Sequence, residues 1–126
     1  KIILDPTNAR REGSDGIMEH ALDSSAAEMI QSWAPGARVV KAFNTLNYMT
    51  MIDPSSAGGP VSIPIVGDDA EAKAVVAELV EGLGFEPVDV GPLRFAHVLE
   101  GMLDIWANAR SMGHPFNFYF RPAPTN

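Results

Sequence analysis

Two pairs of amide and hydroxyl side chains follow apolar runs in this 126-residue chain. Thr7 and Asn8 follow the run "KIILD", and Asn44 and Thr45 follow the run "RVVKAF". Such side chains orient a ligand through hydrogen bonds without becoming charged. In an open α/β sheet, ligands lie beyond the carboxyl ends of the strands. We therefore predict a ligand site at these four residues.

The sequence also allows a simpler role for Asn44 and Thr45, because Asn and Thr side chains often bond to the backbone of their own turn. Long connections follow both apolar runs, over residues 6–23 and 45–60. Both are much longer than the connections of a compact α/β unit. The second connection carries three large apolar residues that either form a lid over a flat ring or anchor an ordinary loop: Tyr48, Met49 and Met51.

Other catalytic chemistries have little support in the sequence. The chain has no cysteine, which excludes disulfides, thiolate catalysis and cysteine zinc sites. Its three histidines lack the spacing of metal ligands, and we predict no metal site. No serine lies in a Gly-x-Ser-x-Gly turn, so a hydrolase triad is not indicated. Asp68 and Asp69 are interpreted as helix caps, and Lys41 as a structural or rim residue.

Composition limits the class of protein and the class of partner. With 46% hydrophobic and 20% charged residues, the chain can form the core of one compact domain. A net charge of -7 does not attract nucleic acid or an anionic membrane surface. We see no membrane-spanning run and no signal peptide, and expect a cytoplasmic protein whose partners are soluble or are small molecules. The opening "KIILD", without methionine, reads as the middle of a longer protein.

Short β-branched runs alternate with helical patterns, which indicates an α/β sheet with crossover helices. We predict helices over 24–34, 68–85 and 91–113, the first capped by Ser25 with Glu28 and the second by Asp68 with Glu71. Strands are predicted over 1–5, 38–43, 61–67 and 86–90, with a short terminal strand at "FNFYF". Pro64 lies in the third strand and suggests an edge position or a bulge.

The last predicted helix has a wide apolar stripe, which needs cover on two sides. A sheet covers one side, and a partner subunit or an absent first half of the fold would cover the other. We therefore expect a homo-oligomer or association with that missing half. The remaining face of this helix is narrow and polar, and its residues are His97, Glu100, Asp104, Asn108 and Ser111.

Three separated blocks carry a family resemblance: "DPTNA", "SSAAEMIQSWAPGARVVKAFNTL" and "IVGDDAEAKAVVAELVEGLGFEPVDVGPLRFAHVLEGM". In this order they resemble the second half of the NADPH-dependent coenzyme F-420 reductases, a family of Rossmann-type oxidoreductases that itself resembles the NADPH domain of the six-transmembrane epithelial antigen metalloreductases. The resemblance implies the C-terminal half of a dinucleotide-binding domain, a mostly parallel sheet with flanking helices. It implies hydride transfer between NADP(H) and a deazaflavin or flavin, so that the partner is a small-molecule redox cofactor or substrate. It also implies cofactor contacts from six residues: Thr7, Asn8, Ala42, Phe43, Asn44 and Thr45. Among these, Asn8 and Asn44 are the catalytic candidates that orient the reacting rings.

Two departures from the family pattern limit this interpretation. The glycine-rich first turn that binds pyrophosphate has no counterpart, since "GLGFEP" leaves a helix to enter a strand. We therefore expect NADP binding only with an N-terminal half that carries this turn. Ala9, Arg10 and Arg11 stand where the family usually has Pro-Leu, which leaves the acceptor open between coenzyme F-420, a flavin and a related carrier.

The simplest division is an oxidoreductase half-domain over residues 1–112 and a C-terminal arm with a short strand over 113–126. This chain alone is then an incomplete and inactive enzyme. Two other functions stay open at the sequence level. The chain is either a non-catalytic binding or regulatory module derived from such an enzyme, or part of a reductase of a small imine or carbonyl compound on the same scaffold.

Overall fold

The computed structural model describes residues 1–125. Short turns of 3-10 helix cover Pro54–Ala57 and Leu93–Phe95. The other elements, in chain order, are β1 (Ile2–Asp5), β2 (Arg10–Glu12), β3 (Met18–His20), α1 (Ala26–Trp33), β4 (Arg38–Lys41), α2 (Tyr48–Ile52), β5 (Ser62–Gly67), α3 (Ala70–Gly82), β6 (Glu86–Gly91) and α4 (Ala96–Ser111).

The main sheet has four strands in the order β1–β4–β5–β6. Strands β1 and β4 are parallel, with Asp5 opposite Lys41, and β5 and β6 are also parallel. The central pair, β4 and β5, is antiparallel. The sheet is therefore mainly parallel, as predicted, and the carboxyl ends of β1 and β4 lie side by side. This arrangement brings the segments after Asp5 and Lys41 together.

Side chains alternate across the sheet and fill a core on each face. On one face, Val40, Ile63 and Ile65 pack against Val76 and Val80 of α3. On the opposite face, an apolar cluster joins the sheet to α1 and α4: Ala27, Val39, Val66, Leu93, Ala96 and Leu99. The flanking helices are thus held on both faces, and α4 lies next to the ends of β1 and β4.

The helix starts follow the capping signals, with one change of residue. Ser25 caps α1 and accepts a hydrogen bond from the Glu28 N–H at 3.0 Å, as predicted. The cap of α3 is Asp69 and not Asp68, because Asp69 accepts from the Ala72 N–H at 2.7 Å. This hydrogen bond, together with the Arg38 guanidinium, holds the pKa of Asp69 below its ordinary value. Asp68 instead accepts from the Leu93 N–H, at the turn that leads into α4.

Strand β5 lies inside the sheet, so the prediction that Pro64 marks an edge strand is wrong. The pairing of β5 with β6 shifts register between Ile65 and Val66, next to Pro64, which fits the other expectation of an irregularity there. The pairing of β4 with β5 involves Val66 and Gly67. Pro64 lies outside that pairing, where its missing N–H breaks no rung of the β4–β5 ladder.

Both long connections contain regular structure. Strands β2 and β3 form an antiparallel hairpin in the first, and α2 with a turn of 3-10 helix occupies the second. In the "FNFYF" segment, Phe120 makes an isolated antiparallel bridge with Ser62, whose N–H donates to the Phe120 carbonyl at 2.8 Å. The structure assigns no longer strand within residues 113–125.

Candidate active site

Strand β4 ends in a sharp change of direction at Phe43. Its φ of 70° is in the left-handed region, and it is the residue other than glycine with positive φ among residues 1–125. This conformation costs about 1–2 kcal/mol for a residue with a Cβ atom. The Phe43 ring is buried and packs edge-on against Phe85, with ring centroids 6.3 Å apart. The buried ring holds the backbone in this conformation and sets the direction of Asn44.

Asn44 is buried and bridges two distant segments. Its Nδ2 donates to the Leu99 carbonyl at 2.8 Å and to Asn8 Oδ1 at 3.1 Å. Because the Leu99 carbonyl can only accept, it fixes which end of the Asn44 amide is the NH2 group, and this in turn fixes Oδ1 of Asn8 as an acceptor. The side chain therefore bonds across the fold, and the simpler role of bonding its own turn does not apply to Asn44. The two predicted catalytic residues, Asn8 and Asn44, are in direct contact.

The Oδ1 atom of Asn44 is buried and has no hydrogen-bond partner among residues 1–125. Leaving a buried acceptor unpaired costs about 1–3 kcal/mol. Native proteins rarely retain such an atom unless a ligand or an ordered water supplies a donor. Asn44 Oδ1 therefore has acceptor capacity left for a donor from a ligand or an ordered water.

The segment after β1 is fixed by Asp5, which is buried. Asp5 Oδ1 accepts from the Thr7 N–H at 2.9 Å and from the Thr7 hydroxyl at 2.6 Å. These two bonds hold the turn that carries Asn8. Thr7 itself is exposed beside Asn8, although its N–H and hydroxyl donate to Asp5 and its carbonyl accepts from Lys41 Nζ.

Ala42 and Phe43 belong to the apolar core. Their side chains face away from solvent, and the Ala42 N–H donates to the Asp5 carbonyl at 3.2 Å. As cofactor-binding candidates, these two residues would act through their backbone or through the position that they give Asn44.

Thr45 lines the smaller of two depressions that share part of their walls. The smaller, of about 70 Å³, is lined by Thr45, Leu46, Leu103 and Trp106, together with Asn47, Asn117 and Phe118. The larger, of about 430 Å³, shares Asn47, Trp106 and Asn117 with the first and adds Tyr48, Met49, Arg110 and Tyr119 among others. Tyr48 and Met49 are largely exposed on α2. They line the larger depression, whereas Met51, the third residue considered for a lid, does not.

Two charged residues that the sequence did not place in the site lie directly beneath it. Lys41 and Glu100 are fully buried, and Lys41 Nζ lies 3.0 Å from Asp5 Oδ2 and 3.0 Å from Glu100 Oε2. Of the two roles considered for Lys41, structural or rim, the burial fits the structural one, and Glu100 of the predicted polar face of the last helix points into the fold. The sequence did contain one indication that Glu100 belongs to a continuous polar stripe. Glu100, Asp104 and Asn108 recur every four residues, a spacing that places them on one face of a helix.

The rest of that stripe holds the β2–β3 hairpin. The Met18 N–H donates to Asn108 Oδ1 at 2.7 Å, and Asn108 Nδ2 donates to the Met18 carbonyl at 2.8 Å. Burial raises the pKa of Asp104 above its ordinary value. The nearby charges of His20 and Arg10 lower this pKa, but by less than burial raises it. Helix α4 thus uses its polar face to hold the hairpin that follows Asn8.

No helix among the described residues is long and apolar enough to cross a membrane. Within residues 1–125, no group of three His, Asp or Glu side chains could hold a metal ion.

No protein-family model matches the chain. The chain is 32% identical over 102 residues to the metalloreductase STEAP3 of Rattus norvegicus, a match that covers 81% of this chain and 20% of that protein. Among solved structures, it is similar to a candidate F-420-dependent NADP-reductase from Arthrobacter sp. FB24, with a TM-score of 0.83 and 34% identity. A hypothetical protein from Sinorhizobium meliloti gives a TM-score of 0.63 and 30% identity.

Each structural match covers 97% of this chain, but only 58% of the Arthrobacter protein and 51% of the Sinorhizobium protein. The chain thus spans between about half and three-fifths of these structures and a fifth of the metalloreductase. The fold is Rossmann-like, as the sequence predicted. At the level of general class, the similar proteins are NADP-dependent reductases and metalloreductases.

Proposed function

We propose that this chain supplies the part of an NADPH-dependent oxidoreductase where the nicotinamide meets the electron acceptor. The observation that carries the proposal is the contact of Asn8 with Asn44, which leaves a buried Asn44 Oδ1 free to accept a hydrogen bond. The contact lies beyond the ends of two parallel strands, where α/β folds bind ligands. The similarity to reductases gives independent support.

The residues at the strand ends can contact the nicotinamide end of the dinucleotide, but they offer nothing for its pyrophosphate. Asn44 Oδ1 can accept from a carboxamide N–H, and the exposed Thr7 turn can border the ring. For the pyrophosphate, by contrast, the chain offers no glycine-rich turn between a strand and a helix. We infer that an N-terminal half of the fold, packed against the outer edge of β1, supplies that turn in the active enzyme.

The mechanism that we propose needs little proton transfer from this chain. Bound NADPH supplies a hydride, and the protein's task is to hold two rings close together and to exclude water. The Asn44 amide is fixed by two hydrogen bonds, one that it donates to Asn8 Oδ1 and one that it donates to the Leu99 carbonyl of α4. The amides stay neutral at every pH at which the protein folds, so they orient without adding charge.

The acceptor that we propose is a flat deazaflavin or flavin-type ring in the depressions beside Thr45. Trp106 and Leu103 offer an apolar wall, and Asn47 and Asn117 offer amides at the ring edge. Arg110, whose guanidinium lies 5.0 Å from the Trp106 ring centre, gives a cation for an acidic substituent. A small imine or carbonyl substrate would use less of this space.

A chimaera tests the proposal. The first part of the Arthrobacter protein is joined in front of Lys1, and NADPH oxidation is followed with coenzyme F-420, a flavin mononucleotide and a small cyclic imine. We expect turnover with coenzyme F-420 or the flavin. Turnover with the imine alone would favour the small-substrate reductase. A folded chimaera that binds NADPH and reduces none of them would contradict the proposal and favour a non-catalytic module.

A further inference from the structure

Beneath the strand ends lies a buried group of three charges that the proposed chemistry does not use directly. Lys41, Asp5 and Glu100 have side chains with no exposed surface, and the Lys41 ammonium contacts both carboxylates at 3.0 Å. A buried ion pair is weak evidence for stability, because removing charges from water offsets most of their attraction. We therefore looked for a role of these three charges other than stabilising the fold.

Glu100 joins this group to a helix start. Its Oε1 accepts from the Ala26 N–H at 2.8 Å, and its Oε2 accepts from the Ala27 N–H at 3.4 Å. These N–H groups belong to the first turn of α1, where the helix dipole favours negative charge. Glu100 therefore links α4, α1 and, through Lys41, the end of β4.

The polar contacts continue from Lys41 into the candidate site and return to α4. Lys41 Nζ also donates to the Thr7 carbonyl, next to Asn8. Asn8 Oδ1 accepts from Asn44 Nδ2, which donates as well to the carbonyl of Leu99, the neighbour of Glu100. The result is a closed ring of contacts from α4 through Lys41 to the Thr7 turn, and back through Asn44 to α4.

We propose that Lys41 is a positioning residue, held by Glu100 and Asp5, that sets the distance and orientation between Asn8 and Asn44. The importance of that geometry for hydride transfer rests on the proposed function. Without the ammonium, Asp5 and Glu100 are two buried carboxylates with no cation between them, and Thr7 loses a donor. The carboxylates must separate or take up a proton, and either change moves the turn that carries Asn8.

The experiment compares Lys41→Met with Lys73→Met. Lys73 makes a more exposed pair with Asp89, at 2.9 Å, between α3 and β6 and outside this ring of contacts, so its substitution controls for the loss of a paired lysine charge elsewhere in the fold. In the 126-residue chain labelled with ¹⁵N, we expect Lys41→Met to shift the side-chain NH2 signals of Asn44 and Asn8 and to speed their hydrogen exchange. Lys73→Met should leave those signals in place.

Kinetics of the chimaera give the second readout. Lys41→Met should lower kcat about tenfold to a hundredfold, as small misplacements of reacting groups do, with little change in the KM for NADPH. Lys73→Met should change neither. If Lys41→Met lowers only the melting temperature and leaves kcat and the Asn44 signals unchanged, the residue is merely structural and the inference is wrong.

Glu100→Gln provides a milder variant in case Lys41→Met does not fold. It keeps the Lys41–Asp5 pair and an oxygen for the Ala26 N–H, but it removes one carboxylate from Lys41. We expect a smaller shift of the same Asn44 signals, and unchanged signals would overturn the inference. An inactive wild-type chimaera would contradict the proposed function alone, since the NMR comparison still decides the positioning role.

Discussion

At the residue scale, the candidate site depends on Phe43 and Asn44 taking conformations that ordinary strand residues avoid. Phe43 is left-handed, and Asn44 keeps a buried acceptor unpaired among the described residues. Both features are unfavourable for folding, and both lie at the strand end where a ligand is expected. The sequence indicated the position of Asn44 through the strand that precedes it. It could not indicate the backbone angle of Phe43, because nothing in a Phe residue favours positive φ.

Substitution of Phe43 tests whether this backbone strain is real. Both Phe43→Ala and Phe43→Gly lose the buried ring, at about 3–5 kcal/mol. Only glycine also relieves the left-handed strain, which is about 1–2 kcal/mol. We therefore expect Phe43→Gly to be at least as stable as Phe43→Ala in urea denaturation. In most strand positions the order is the reverse, so a clearly more stable alanine variant would contradict the strain.

At the element scale, α4 organises the site, and this was the least predictable part of the fold. Periodicity predicted the helix and its apolar stripe. The polar stripe faces inward, however, because Glu100 meets a buried Lys41 and Asn108 meets the Met18 backbone. Val98 and Ile105, which widen the apolar stripe, are more than half exposed. A one-dimensional pattern cannot show that a polar face finds partners in segments 60–90 residues away, as in the contact of Asn108 with Met18, whose sequence separation is 90.

The attachment of the hairpin to α4 gives a prediction at this scale. Asn108→Ala removes both hydrogen bonds to the Met18 backbone, each contributing about 1 kcal/mol. We expect the amide of Met18 to exchange with solvent about tenfold faster or more, while the core strands keep their protection. Ser111→Ala, one turn further on the same helix, serves as the control. Equal protection of Met18 in both variants would mean that the hairpin is held by other contacts.

At the scale of the whole molecule, the main sheet is mostly parallel, as the sequence predicted, and its four strands follow the predicted runs. The antiparallel pairing of β4 with β5 was not predictable from those runs, because strand direction is set by long-range packing. Strand β1 lies at one end of the sheet order. Its outer edge is the place where we propose that a preceding half of the fold pairs.

This proposal predicts that the 126-residue chain does not bind NADP measurably by itself. Most of the affinity in such folds comes from the pyrophosphate at a glycine-rich turn and from ribose contacts about 20 residues further on. The chain contributes only contacts to the nicotinamide end. Isothermal titration with NADPH at millimolar concentration should give no measurable heat of binding, whereas the chimaera should bind. Micromolar affinity of the chain alone would place the dinucleotide site elsewhere.

The most direct measurement of the central claim is the effect of Asn44→Ala on hydride transfer in the chimaera. The variant loses the free Oδ1 and both contacts that hold Asn8 and α4, and its expected fall in kcat is about tenfold to a hundredfold. The Kd for NADPH should change far less, because the pyrophosphate contacts are untouched, and Ser111→Ala should leave both values unchanged. Turnover at the wild-type rate in a folded Asn44→Ala variant would contradict the claim that this residue orients the reacting groups.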